Sequence, residues 1–165
     1  MTREPTRRAA IALGANLGDR RATLEHALAQ LAAEFGPVLA CSGWLETEAV
    51  IHPDDDAAWH PAFLNGVALV STDLGPRAIV DRLQAIERAL GRDRSTEARA
   101  WQPRVIDLDL IALADVVADD EGVVVPHPRM HERRFVLAPM AEVWPGWRHP
   151  ELGRTTAELL ARLEG

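Results

Sequence analysis

Asp107 and Asp109 stand two residues apart inside an otherwise apolar run, VIDLDLIAL, residues 105–113. In an extended strand, residues i and i+2 point to the same face, so the two carboxylates project side by side. Neighbouring carboxylates partly withdrawn from water repel each other unless a cation sits between them. Mg2+ meets that need, because it binds through one or two carboxylates and keeps positions for water and phosphate oxygens. Short acidic pairs recur freely, so the motif alone also fits a solvated strand end.

What precedes the pair favours the metal. Arg92, Arg94, Arg99 and Arg104 fall within thirteen residues, with Trp101 among them. Guanidinium forks grip phosphate oxygens in pairs and stay charged at any working pH. Trp101 offers a flat face for a base or a guanidinium. Arginines for a phosphate tail, followed by carboxylates for Mg2+, are what a nucleoside triphosphate requires.

These residues need a scaffold. The apolar pattern predicts a short strand over 9–13 and a helix after Asp19, a candidate N-cap, that Gly36 and Pro37 stop. VLACSGWLET, residues 38–47, and FLNGVALVST, residues 63–72, read as strands. Ile79, Leu83, Ile86 and Leu90 mark a second helix ending at Gly91. The strand over 104–113 follows, with Ile106, Leu108, Leu110 and Ala112 assigned to the core and Ile111 and Leu113 to the carboxylate face. A turn at ADDEG leads to VVVP, and a last helix is expected near 155–163. The order β-α-β-β-α-β predicts an α+β, ferredoxin-like core, a largely antiparallel sheet covered by helices.

The chain has 165 residues, expected to form one domain over 1–165. Its net charge of −7 argues against nucleic acid as a partner. All 18 basic residues are Arg, which excludes a Walker A lysine and a Schiff base. The lone Cys41 suits a reducing compartment. No apolar run approaches the roughly 20 residues that cross a bilayer, so a cytoplasmic, membrane-free protein is expected. Gly14 and Gly18 lack the dinucleotide-binding pattern.

GRDRSTEARAWQPRVIDLDLIAL, residues 91–113, resembles the signature of the 6-hydroxymethyl-7,8-dihydropterin pyrophosphokinase family. ALGANLGDR, FLNGVALV and VPHPRMHERRFVLAPMAEVWP resemble its other blocks in the same order. The resemblance implies transfer of pyrophosphate from ATP, the co-substrate, to a pterin hydroxymethyl oxygen, with release of AMP, in folate biosynthesis. It implies that Asp107 and Asp109 hold two Mg2+ ions and that Arg92, Arg104, His127 and Arg133 contact the phosphates. Arg94, Arg99 and Trp101 would ride on a closing loop. Phe63 and Phe135 would sandwich the pterin, with Asn65 on its edge and Thr47 nearby. Gln84 and Glu87 fit either an ATP-facing helix surface that orients the arginine loop or a solvated face. A paralogous transferase with another heteroaromatic alcohol and a non-catalytic nucleotide-binding module remain alternatives. Small molecules are the expected partners, and the state a monomer or weak homodimer.

Overall fold

The computed structural model describes residues 5–48, 62–91 and 106–165. It is a mixed structure in which helices cover both faces of an antiparallel sheet. The central strand, β1 (Arg7–Ala15), is followed by helix α1 (Arg20–Phe35) and two short strands, β2 (Ala40–Cys41) and β3 (Leu45–Thr47). Strand β4 (Phe63–Thr72), helix α2 (Pro76–Ala89) and strand β5 (Asp107–Leu113) come next. The chain ends with a hairpin, β6 (Ala118–Asp120) and β7 (Val123–Val125), and helices α3 (Arg134–Val143) and α4 (Thr156–Glu164). The sheet order is β2–β4–β1–β5, with β3 also on β4.

Two apolar cores lie on the two sides of this sheet. Ile11, Leu13, Ala68, Val70, Leu108 and Leu110 face α1 and α2, meeting Leu24, Leu31, Ile79 and Leu83. Ala10, Val67 and Leu69 face α3 and α4, meeting Val136, Leu137, Met140 and Leu159. Local signals set the helix ends. Asp19 accepts from the Ala22 N–H at 3.1 Å, Pro76 opens α2, and Thr155 and Glu158 form a reciprocal capping box on α4.

Two bulges change what simple alternation predicts. The expected strand over 38–47 is divided, because three residues, Ser42 to Trp44, stand between partners that are separated by only Gly66 and Val67 on β4. Ser42 Oγ accepts from the Val67 N–H at 2.9 Å and holds the kink. In β5, Ile11 pairs with Leu110 and Ala10 with Ala112, so Ile111 is an extra residue. The parity of the strand inverts there. Leu113 therefore joins Leu108 and Leu110 on the α1–α2 side, and Ala112 lies with Ile111 on the other. This corrects the faces assigned to Ala112 and Leu113.

Helix α3 has no counterpart in the expected order. Pro139 sits inside it and cannot donate to the Phe135 carbonyl, yet burial of Val136, Leu137 and Met140 outweighs that loss. The segment between α3 and α4 is pinned back on the sheet, since Trp147 Nε1 donates to the Ala114 carbonyl at 2.8 Å. His149 packs edge-on against Trp147, and its Nδ1 accepts from the Glu151 and Leu152 N–H groups.

Burial pushes the His149 imidazole below its ordinary value of 6.5, and His131 acts in the same direction against Glu151. The folded form binds a proton less readily than the unfolded one. The stability this contributes is therefore present above about pH 6.5 and lost as pH falls through the lower folded value. Melting temperature should fall on acidification below that point. His149→Asn, which keeps an acceptor but does not titrate, should show a shallower fall in the same scan; an identical pH dependence would assign the effect elsewhere.

Candidate active site

Gly14, on β1, lies between Asn65 of β4 and Asp107 of β5, the three being direct cross-strand partners. They share the sheet face that carries Ala12 and Val67, beside α3. A Cβ at position 14 would meet Asn65 Oδ1 at 3.0 Å and the Phe63 ring at 3.6 Å. Glycine thus makes the space in which an amide and an aromatic ring lie over the central strand. Asn65 Nδ2 donates to Thr47 Oγ1 at 2.7 Å, which fixes the amide and leaves Oδ1 and one N–H for a ligand. Thr47 is the cross-strand partner of Phe63. Three expected acceptor-pocket residues, Thr47, Phe63 and Asn65, are therefore gathered on one face of the β3–β4 ladder.

Asp109 faces Ala12, one pair further along the same face. Both aspartates are half-buried, and both take part in interactions with other groups. Leu108, between them, points into the opposite core. Its N–H is held by Glu87 Oε2 at 2.8 Å. Glu87, only 1% exposed, is a core residue of α2 rather than part of a solvated helix face. Gln84 and Glu87 belong to the helix layer on the far side of the sheet from the two aspartate side chains, and Glu87 supports the strand that carries them. The signal was available: an acid at 87 continues the buried stripe Ile79, Leu83, Ile86.

The third part of the site follows β7. The His127 N–H donates to the carbonyl of the bulged residue, Ile111, at 2.8 Å, so the bulge tethers this loop to β5. Burial holds the His127 imidazole below its ordinary value, with Arg133 and Arg129 adding to the effect and Asp107 opposing it. The ring is neutral near pH 7. Its Nδ1 accepts from the Arg129 N–H at 3.2 Å, so the ring proton sits on Nε2 as a donor. The Arg133 guanidinium lies 5.7 Å from the centre of the Phe135 ring, which is 37% exposed at the start of α3. Arg133 and Asp107 are close enough to His127 to act on its charge, and Phe135 accompanies Arg133.

Arg92, Arg94, Arg99, Trp101 and Arg104 lie outside the described residues. Among the described residues, no cluster of three or more His, Cys, Asp or Glu side chains could hold a metal alone. Two hard oxygen donors on one strand face, next to a neutral histidine donor and an arginine, instead suit a Mg2+ ion that shares its coordination with a phosphate chain. They do not suit a closed structural zinc site.

The family model for 7,8-dihydro-6-hydroxymethylpterin-pyrophosphokinase (HPPK) matches residues 10–145. The chain belongs to this family. The 2-amino-4-hydroxy-6-hydroxymethyldihydropteridine pyrophosphokinase of Methylorubrum extorquens is 40% identical over 161 residues, 95% of this chain and 94% of that protein. The protein of the same name from Synechocystis sp. is 35% identical over 157 residues, covering 94% of this chain and 76% of its own. Among solved structures, Plasmodium falciparum HPPK-DHPS matches 98% of this chain with a TM-score of 0.69 at 13% identity. The match covers 45% of that longer chain, and at this identity it speaks for the fold. Family membership brings the residues of ALGANLGDR into view as well. Gly14, the buried Asn16 and Arg20 belong to that block and had no site role in the sequence reading.

Glu87→Ala should leave the Leu108 amide buried and unpartnered, at a cost of about 1–3 kcal/mol in denaturant unfolding. Glu87→Gln, which keeps an acceptor oxygen, should lose clearly less. Equal stability for Glu87→Ala and the parent would remove the carboxylate from its supporting role.

Proposed function

We propose that this chain transfers the β,γ-pyrophosphoryl group of ATP to the hydroxymethyl oxygen of 6-hydroxymethyl-7,8-dihydropterin, releasing AMP, as a step of folate biosynthesis. The observation that carries the reading is the row Asp107–Gly14–Asn65. It sets a candidate metal carboxylate and a fixed amide on the two strands that flank β1, on one sheet face. A phosphate chain at one end and a flat heterocycle at the other would share that face.

On the acceptor side, the Thr47-anchored Asn65 offers one acceptor and one donor, complementary to the amide-like edge of a pterin. Phe63 supplies a face for offset stacking, and Phe135 is the partner ring this reading assigns to the other side. On the donor side, Asp107 and Asp109 would hold two Mg2+ ions, which when bound neutralise charge on the triphosphate. On this reading the His127 Nε2–H and Arg133 donate to phosphate oxygens, and Arg92, Arg94, Arg99, Trp101 and Arg104 are assigned to the nucleotide from the sequence.

In the reaction the hydroxymethyl oxygen bonds to the β-phosphorus as the bond from that phosphorus to the α,β-bridging oxygen breaks. AMP leaves with the bond's electrons, and the hydroxyl proton is lost. The protein contributes alignment of the two reactants and fixed positive charge around the transferring group.

The sheet order, with α1 after β1 and α2 after β4, supports a ferredoxin-like βαββαβ core as the finer description. The same reading includes one domain over residues 1–165, a cytoplasmic location and a monomer or weak homodimer. Among the described residues, no helix is long and apolar enough to cross a membrane. The names of the relatives favour the pterin over another acceptor.

The test is AMP release from ATP and Mg2+, with and without the dihydropterin, followed by chromatography. Turnover should require the pterin. Asp109→Asn should lower kcat by about 100-fold or more, with melting temperature unchanged or raised as a like charge is removed. Release of AMP only with some other alcohol, or full turnover by Asp109→Asn, would overturn this assignment.

A further inference from the structure

Residues 12–20, ALGANLGDR, run from the ligand face of β1 into the first residue of α1. Gly18 turns the chain at φ +64°, a left-handed conformation that glycine adopts readily. Asp19 then caps α1, and the two together deliver Arg20 to the open end of the β3–β4 ladder. There Arg20 Nη1 donates to the Ala62 carbonyl at 2.6 Å and lies 3.8 Å from Glu46 Oε1. Ala62 immediately precedes Phe63, and Glu46 immediately precedes Thr47. A single guanidinium therefore touches both arms of the ladder, one residue away from the two side chains that define the acceptor end.

We propose that Arg20 is a positioning residue for the acceptor. It keeps Thr47, Phe63 and Asn65 in register as one preformed surface for a flat heteroaromatic alcohol; this rests on the pterin reading above. Thr47 and Phe63 form the last pair of the β3–β4 ladder, and ladder ends open most easily because they have neighbours on one side only. Slippage there would move Phe63 and release the hydroxyl that fixes Asn65. The carbonyl bond is the main restraint. The Glu46 contact adds little, since the two side chains are 28% and 62% exposed. Both contacts come from Nη1 of a planar, permanently charged group whose N–H directions are fixed, whereas the donors of an ammonium rotate freely. Neither contact reaches β5, so the nucleotide half of the site is insulated from this restraint.

Arg20→Gln and Arg20→Lys, compared with the parent, test the proposal by two measurements. Amide hydrogen exchange should quicken by about tenfold at residues 63–65 in Arg20→Gln, while residues 67–70 keep the parent's rates. Titration with the dihydropterin should show about tenfold weaker binding, with affinity for a non-hydrolysable ATP analogue changed by less than about twofold. Arg20→Lys should fall between. Unchanged exchange and pterin affinity overturn the positioning role. So does an equal loss for both ligands with a lowered melting temperature, which marks a general fold defect. A parent chain that binds ATP analogue but no pterin overturns the acceptor assignment itself, and the positioning role with it, whatever the exchange data show.

Discussion

A buried carboxylate holds the backbone between two half-buried ones. Glu87, in the core under the sheet, accepts the Leu108 N–H, and Leu108 separates Asp107 from Asp109. Strand β5 is the edge of the main sheet, with β1 on one side only, and an edge strand has amides that its own ladder does not use. Tying one of them to α2 fixes the height and tilt of the strand, and the aspartates inherit that position. A charge held by its scaffold in this way needs little reorganisation when a ligand arrives. The arrangement divides labour between the two faces of one strand, with packing and support below and chemistry above.

The same division explains which parts of the molecule were legible in the sequence. The strand over residues 63–72, both caps of α1 and the last helix near residues 155–163 follow from local rules that act within a few residues, and they stand where the pattern put them. The acidic pair was legible because two charges in an apolar run break the pattern. The bulges were not, because nothing in Leu110–Ile111–Ala112 or Ser42–Gly43–Trp44 marks an extra residue; the opposing strand decides it. Helix α3 was hidden by Pro139, a local signal that tertiary burial overrides. Glu87 was misjudged for a related reason. Its type suggests water, while its place on the α2 stripe leads to the core.

Charge is distributed in a comparable way. The chain carries a net −7, yet Arg133 and a histidine stand close to Asp107. At physiological ionic strength fields fade over roughly 8 Å, so a ligand beside Asp107 responds to His127 and Arg133 rather than to the total. Keeping His127 uncharged has a further effect. Its ring can donate through Nε2 without adding a second positive charge beside Arg133.

The bulge at Ile111 bears on how this lineage of sequences can drift. Its carbonyl tethers His127, and its surplus residue returns Leu113 to the core face of Leu108 and Leu110. Substitutions along β5 that respect size leave this geometry standing. Gain or loss of one amino acid there is different in kind, because it would turn one half of the strand inside out relative to the other. Genes encoding working versions should therefore vary in spelling across this stretch but not in length.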